Sequence, residues 1–77
     1  MNYEEWFADA KKRIEALEAG DEFTAKGLFE GIKWDKLTVS NKRSFGRYFS
    51  SQLRIGKLPI AEQIGKDKSG QNLYKRI

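Results

Sequence analysis

The stretch SNKRSFGRYFSSQLRIG, residues 40–56, decides how the rest of the chain is read. Phe45, Phe49 and Leu53 recur at steps of four. At about 100° per residue they share one sector of a helix, with Tyr48 and Gln52 on its flank. Arg43, Arg47, Ser50 and Arg54 fall within roughly 60° of one another on the opposite sector. Ser40 is the cap-forming residue type at the start, and Gly56 can end the helix in a left-handed turn. The pattern predicts a helix over about 40–56 with an aromatic face for a core and an arginine ridge for something outside it. No acidic residue stands between Asn41 and Lys57. A merely solvated face mixes both signs, so the ridge is the most informative feature of the sequence.

Upstream of this helix, Gly31–Leu37 is a connection carrying two apolar anchors, Trp34 and Leu37, with Trp34 assigned to the core. Before it, Thr24 caps a second helix, and Phe23 and Leu28 occupy the two positions of a hydrophobic staple. Leu28, Phe29 and Ile32 face inward. Gly27 and Gly31 each lower helix propensity by about 1 kcal/mol relative to Ala, so this helix is short. Glu22-Phe23-Thr24 suits extended geometry. At the start of the chain, Asn2 with Glu5 forms a capping box. Tyr3, Phe7, Ala10, Ile14 and Leu17 then make one stripe of a helix over 2–19, with Trp6 beside it and Gly20 at its end. The stripe covers under three heptads, which favours packing on the chain's own core over a coiled coil.

Downstream, Pro59 stops further helix. Ile60–Gly65 alternates Ile60, Glu62 and Ile64 with Ala61 and Gln63, the pattern of a half-buried strand. Lys66-Asp67-Lys68-Ser69-Gly70 is turn chemistry with a basic tip. Gln71–Ile77 returns as the partner strand, with Leu73 or Tyr74 inward, so a C-terminal hairpin is expected.

Seventy-seven residues make one domain, 1–77. The five Phe, three Tyr and two Trp supply its core. With no cysteine there is no disulfide, thiolate metal site or thiol nucleophile, and with no histidine the usual general base and zinc ligand are missing too. Glu4, Glu5 and Asp9 stand where a signal peptide wants positive charge. No stretch approaches the roughly 18 apolar residues of a membrane span. A soluble, cytoplasmic binding module is expected, not an enzyme, with no cofactor and no metal. Charge is unevenly divided. Residues 1–30 hold four basic groups against eight acidic, a net of −4, and residues 31–77 hold eleven against three, a net of +8. Such asymmetry suits one face presented to a polyanion.

The order helix, short extended piece, short helix, long basic helix, hairpin resembles a winged helix-turn-helix domain over nearly the whole chain. The fold expected is therefore α+β, three helices followed by a C-terminal β-hairpin wing. The run Phe23, Leu28-Phe29, Trp34, Leu37, Arg43, Gly46-Arg47, Phe49 and Tyr74-Lys75-Arg76 is also similar to a family of small bacterial and phage proteins of unknown function. Those share Trp-x-x-Leu followed by Arg-x-x-Gly-Arg-x-Phe. The winged-helix resemblance implies duplex DNA binding of transcription-regulator type, with the third helix in the major groove and the hairpin as wing. The connection over Gly31–Val39 is longer than that of a tight helix-turn-helix, which leaves the docking angle of the third helix open.

Arginine pairs with guanine O6 and N7 through two parallel bonds, and cations on phosphates release condensed counterions. Asn41, Lys42, Arg43, Arg47 and Arg54 are the candidate groove surface, joined by Ser50 as a short phosphate donor and Lys57 past the helix end. Lys66 and Lys68 are the candidate wing contacts. Tyr48 fits either a core edge or a phosphate donor. Gly46 fits close packing of the second helix better than close approach of a DNA backbone. Lys11-Lys12-Arg13 reads as a solvated face. The competing function is a protein-interaction module on the same scaffold, with a protein partner or a homodimer through Tyr3 and Trp6 of the first helix. Single-stranded nucleic acid is a weaker third, because the aromatics are needed inside.

Overall fold

Asn2 sits in extended geometry and its side chain accepts the Glu5 N–H at 3.1 Å, which starts α1 (Tyr3–Glu15) as expected. The computed structural model describes residues 1–29 and 31–77, and of Ile32 the backbone alone, so the expected inward Ile32 side chain lies outside the described residues. The helix is shorter than the predicted 2–19. The Asp21 carboxylate accepts the Glu18 N–H at 2.9 Å and so draws the chain into a turn, which Gly20 completes at φ +97°. Leu17 nonetheless packs against the core from beyond the helix end.

The short extended piece forms β1 (Glu22–Phe23), and Thr24 caps α2 (Ala25–Leu28) by accepting the Gly27 N–H at 3.0 Å. The connection that follows holds a further single-turn helix, α3 (Ile32–Asp35), so the described residues form four helices where three were expected. A connection anchored by a Trp folds into a turn that carries the ring inward. Trp34 is buried and lies parallel to Phe29 at 6.1 Å. Next come α4 (Val39–Arg54) and the two strands β2 (Ala61–Lys66) and β3 (Asn72–Arg76). The strands form an antiparallel sheet in the order β1-β3-β2, with Phe23 opposite Tyr74 and Ala61 opposite Arg76. The result is an α+β fold of four helices and a three-stranded sheet.

Phe45, Phe49, Ala10 and Ile14 are fully buried where α4 meets α1. The sheet closes on them through Tyr74, whose ring lies edge-on to Phe49 at 5.0 Å and stacks on Phe23 at 5.6 Å. Leu58, which no periodicity singles out, is 1% exposed in the loop between α4 and β2. Tyr3 and Trp6, the pair expected at a partner surface, are half-buried. Tyr3 stacks on Tyr48 at 5.3 Å, and Trp6 lies 4.8 Å from Phe29.

Arg13 is exposed with Lys11 and Lys12, as a solvated face requires, and it also makes tertiary contacts. Its guanidinium donates to the Leu28 carbonyl at 3.1 Å and sits 5.3 Å from the centre of the Phe29 ring. Asp9 pairs with Arg13 at 3.3 Å and with Lys33 at 3.0 Å, while the Lys33 ammonium lies 4.7 Å over Trp6. This chain of charge and aromatic contacts clamps α1 to α2 and α3. The hydrogen bond from Lys33 holds the Asp9 carboxyl below its ordinary value; partial burial opposes this and the Arg13 charge adds to it.

The alternation in β2 also differs from expectation. Ala61 faces inward, whereas Ile64 is 42% exposed. Ile64 has no partner in the register, since Gln63 pairs with Tyr74 and the next pair is Gly65 with Leu73. It is the extra residue of a β-bulge, and a bulge reverses which face the following residues occupy. Among the described residues no helix is long and apolar enough to cross a membrane.

Candidate functional site

The N-cap of α4 is Thr38, two residues before the predicted Ser40, and its hydroxyl accepts the Asn41 N–H at 3.0 Å. Both residue types can cap, and the turn after α3 delivers Thr38 in the extended geometry a cap needs. The helix then runs sixteen residues to Arg54 and buries Phe45 and Phe49 as its period requires. That burial fixes the rotation of the helix and leaves Arg43, Arg47 and Arg54 exposed.

A groove of about 650 Å³ opens between the first half of α4 and the hairpin. From α4 it is lined by Lys42, Arg43, Gly46 and Arg47, and from the hairpin by Lys66, Gly70, Gln71, Asn72 and Tyr74. Ala25 and Lys26 of α2 and Trp34 and Asp35 of α3 complete its wall. Five cationic side chains from three elements thus surround one space, against the single carboxylate of Asp35. Among the described residues no group of acidic side chains could hold a metal ion. The chemistry on offer is capture of an anion by many cations.

The bulge at Ile64 is what brings Lys66 here. Lys66 pairs with Asn72, two residues before Tyr74, so Lys66, Asn72 and Tyr74 share the sheet face that looks toward α4. Unbroken alternation from Ala61 would have put Gly65 on that face and Lys66 on the other. The turn beyond is fixed by Asp67, whose Oδ1 accepts from Ser69 N and Oγ and from Gln71 N at 2.9–3.0 Å. These bonds, the one from Gln71 first, hold the Asp67 carboxyl below its ordinary value. They also set Gly70 and Gln71 at the rim of the groove.

The expected site residues separate. Lys42, Arg43, Arg47 and Lys66 come together in the groove. Lys68 is exposed at the hairpin tip and outside the lining. Asn41 is half-buried, its N–H taken by the cap. Ser50 departs from its expected role as a phosphate donor. It is 9% exposed, next to Phe49, on which the Tyr74 ring of β3 packs. Burial pushes the Tyr74 phenol up, partly offset by hydrogen bonds with Ser50 and Asn72 and by the nearby Arg54 charge. Arg54 is exposed at the end of α4 and outside the groove's lining. Lys57 is elsewhere, in a second cleft between α1 and the end of α4 lined also by Glu4, Phe7, Lys11, Tyr48 and Ile55.

Lys26 escaped the sequence reading. It belongs to the acidic first thirty residues, and only the packing of α2 beside α4 carries it to the basic side. Gly46 was assigned to close packing of the second helix, and nothing among the described residues bears this out. A Cβ built on Gly46 meets no described heavy atom within 4 Å, so no described neighbour requires a glycine there.

Compared with known proteins, residues 8–76 match the family described as Domain of unknown function (DUF1413). No curated protein and no solved structure matches the sequence.

Proposed function

The chain belongs to the DUF1413 family, and from that starting point we propose that it is a duplex DNA-binding module of transcription-regulator type on a winged helix-turn-helix scaffold. The observation that carries this reading is the convergence of Lys26, Lys42, Arg43, Arg47 and Lys66 on one groove. The element order, with β1 paired to β3 and the β2–β3 hairpin beside α4, supports the scaffold. With α4 in the major groove, Arg43 and Arg47 meet base edges and flanking phosphates, and the hairpin lies across the neighbouring backbone as a wing. A cation on each side of a phosphate strand releases counterions from both, which is why convergence from several elements favours a polyanion over a lone small anion.

A protein-interaction module on the same scaffold is the second reading. It draws on the cleft of Phe7, Tyr48 and Ile55, where Ile55 is 65% exposed. Fluorescence anisotropy of a mixed-sequence duplex of about 20 base pairs at low salt separates the two. Binding that weakens about tenfold in Arg47→Ala supports the DNA reading. A folded protein that leaves the duplex free rejects it in favour of the second.

A further inference from the structure

Gly46 stands at the middle of α4, where glycine is the poorest helix former except proline. Its missing side chain has no described neighbour within 4 Å, and the residue lines the groove between Lys42, Arg43 and Arg47. The helix therefore carries a destabilising residue at the one place on its surface where a methyl group would project into the cationic groove. Five of the other six glycines, Gly20, Gly31, Gly56, Gly65 and Gly70, hold positive φ, and a Cβ on the sixth, Gly27, would crowd the Thr24 cap hydroxyl at 3.2 Å. Gly46 is helical and has neither reason.

We infer that Gly46 is the point of closest approach between α4 and a bound sugar–phosphate strand, which lies along the groove against the helix backbone with Arg43 and Arg47 on one side and Lys66 on the other. The inference rests on the DNA reading above and adds a ligand contact to it. A free phosphate or a short acidic side chain would reach the cations from the rim and would not need the helix surface bare. A continuous strand does need it, because its sugars fill the width between α4 and the hairpin. Gln71 and Asn72 on the hairpin wall give that strand polar partners that carry no base information.

The test uses the whole chain and two substitutions, Gly46→Ala and Gly46→Leu. Both are better helix formers than glycine, and no described heavy atom lies within 4 Å of the Cβ that each adds. Each should raise the Tm, by about 3–8 °C for alanine. Each should weaken binding to a duplex of about 20 base pairs, a few-fold for alanine and more than about tenfold for leucine. The salt dependence should keep its wild-type slope, because no cation is lost. Inorganic phosphate as competitor should be equally weak against wild type and both variants. Raised Tm with wild-type affinity would overturn the inference and leave the DNA reading standing. A lowered Tm in Gly46→Ala would overturn it too, by showing that packing requires the glycine. Failure of the wild type itself to bind duplex would remove both.

Discussion

Replacing Arg43 and Arg47 together by alanine removes two of the five cations that line the groove, and the salt dependence of duplex binding reports that number. Each phosphate neutralised contributes about 0.9 to the slope of log affinity against log salt. With all five cations engaged the slope is about −4.5, a loss of about 500-fold between 50 and 200 mM salt. With three left it is about −2.7, a loss of about 40-fold over the same interval. Lys57→Ala is the control, because Lys57 lies in the second cleft. It should keep the wild-type slope although it removes one positive charge, as much as either arginine substitution alone. Anisotropy titrations at four salt concentrations give all three slopes. Both arginines are exposed, so thermal midpoints should agree within a few degrees. Equal slopes for wild type and the double variant, or a drop in Lys57→Ala as large as one arginine's share, would refute the groove as the phosphate site.

Asp9→Asn should destabilise the protein by about 1 kcal/mol or less at pH 7, since its ion pairs with Arg13 and Lys33 are partly exposed. The folded Asp9 carboxyl lies below its ordinary value, so its contribution is complete above the unfolded pKa of about 3.9 and fades as pH falls through the folded value. Urea midpoints of the two proteins should converge once the pH falls below the folded value; a gap that stays constant with pH would reject the clamp. Leu58→Ala should lose about 2–5 kcal/mol by urea titration, because the side chain is 1% exposed and truncation leaves a cavity. A loss under about 1 kcal/mol would mean the loop is not anchored there. Asp67→Ala should speed amide exchange at Ser69 and Gln71 and weaken duplex binding, because those N–H groups donate to its carboxylate and the turn sets the groove rim. Unchanged exchange at both amides would count against that turn.

Much of the fold is legible residue by residue. The Asn2 cap, the Thr24 cap and the hairpin follow from local chemistry, and Trp34 sits inside as a Trp in a turn should. Two of the misses are of one kind. Ser40 reads as the cap of α4, where Thr38 stands, and Ile60 to Ile64 as a regular alternation, which the bulge breaks; in each case the outcome depends on where the chain arrives from. Of the expected site, the arginine ridge was visible, while Ser50, on the same sector, was lost to burial. Helical angle says which residues share a flank and nothing about which part of that flank the rest of the fold will bury.

Taken alone, the sequence determines the segregated helix over α4, since the angular separation of aromatics from arginines is a property of the helix itself. It also determines the chemistry that is impossible here, because no fold can supply a histidine or a thiol the chain lacks. The tertiary structure alone decides that Lys26 leaves the acidic half of the chain for the basic groove, and that the bulge at Ile64 turns Lys66 toward α4. It alone sets Gly46 in the lining of that groove. Side-chain periodicity is set by neighbouring residues, whereas convergence is set by contacts between distant ones. A groove made by three elements therefore has no trace in any one of them.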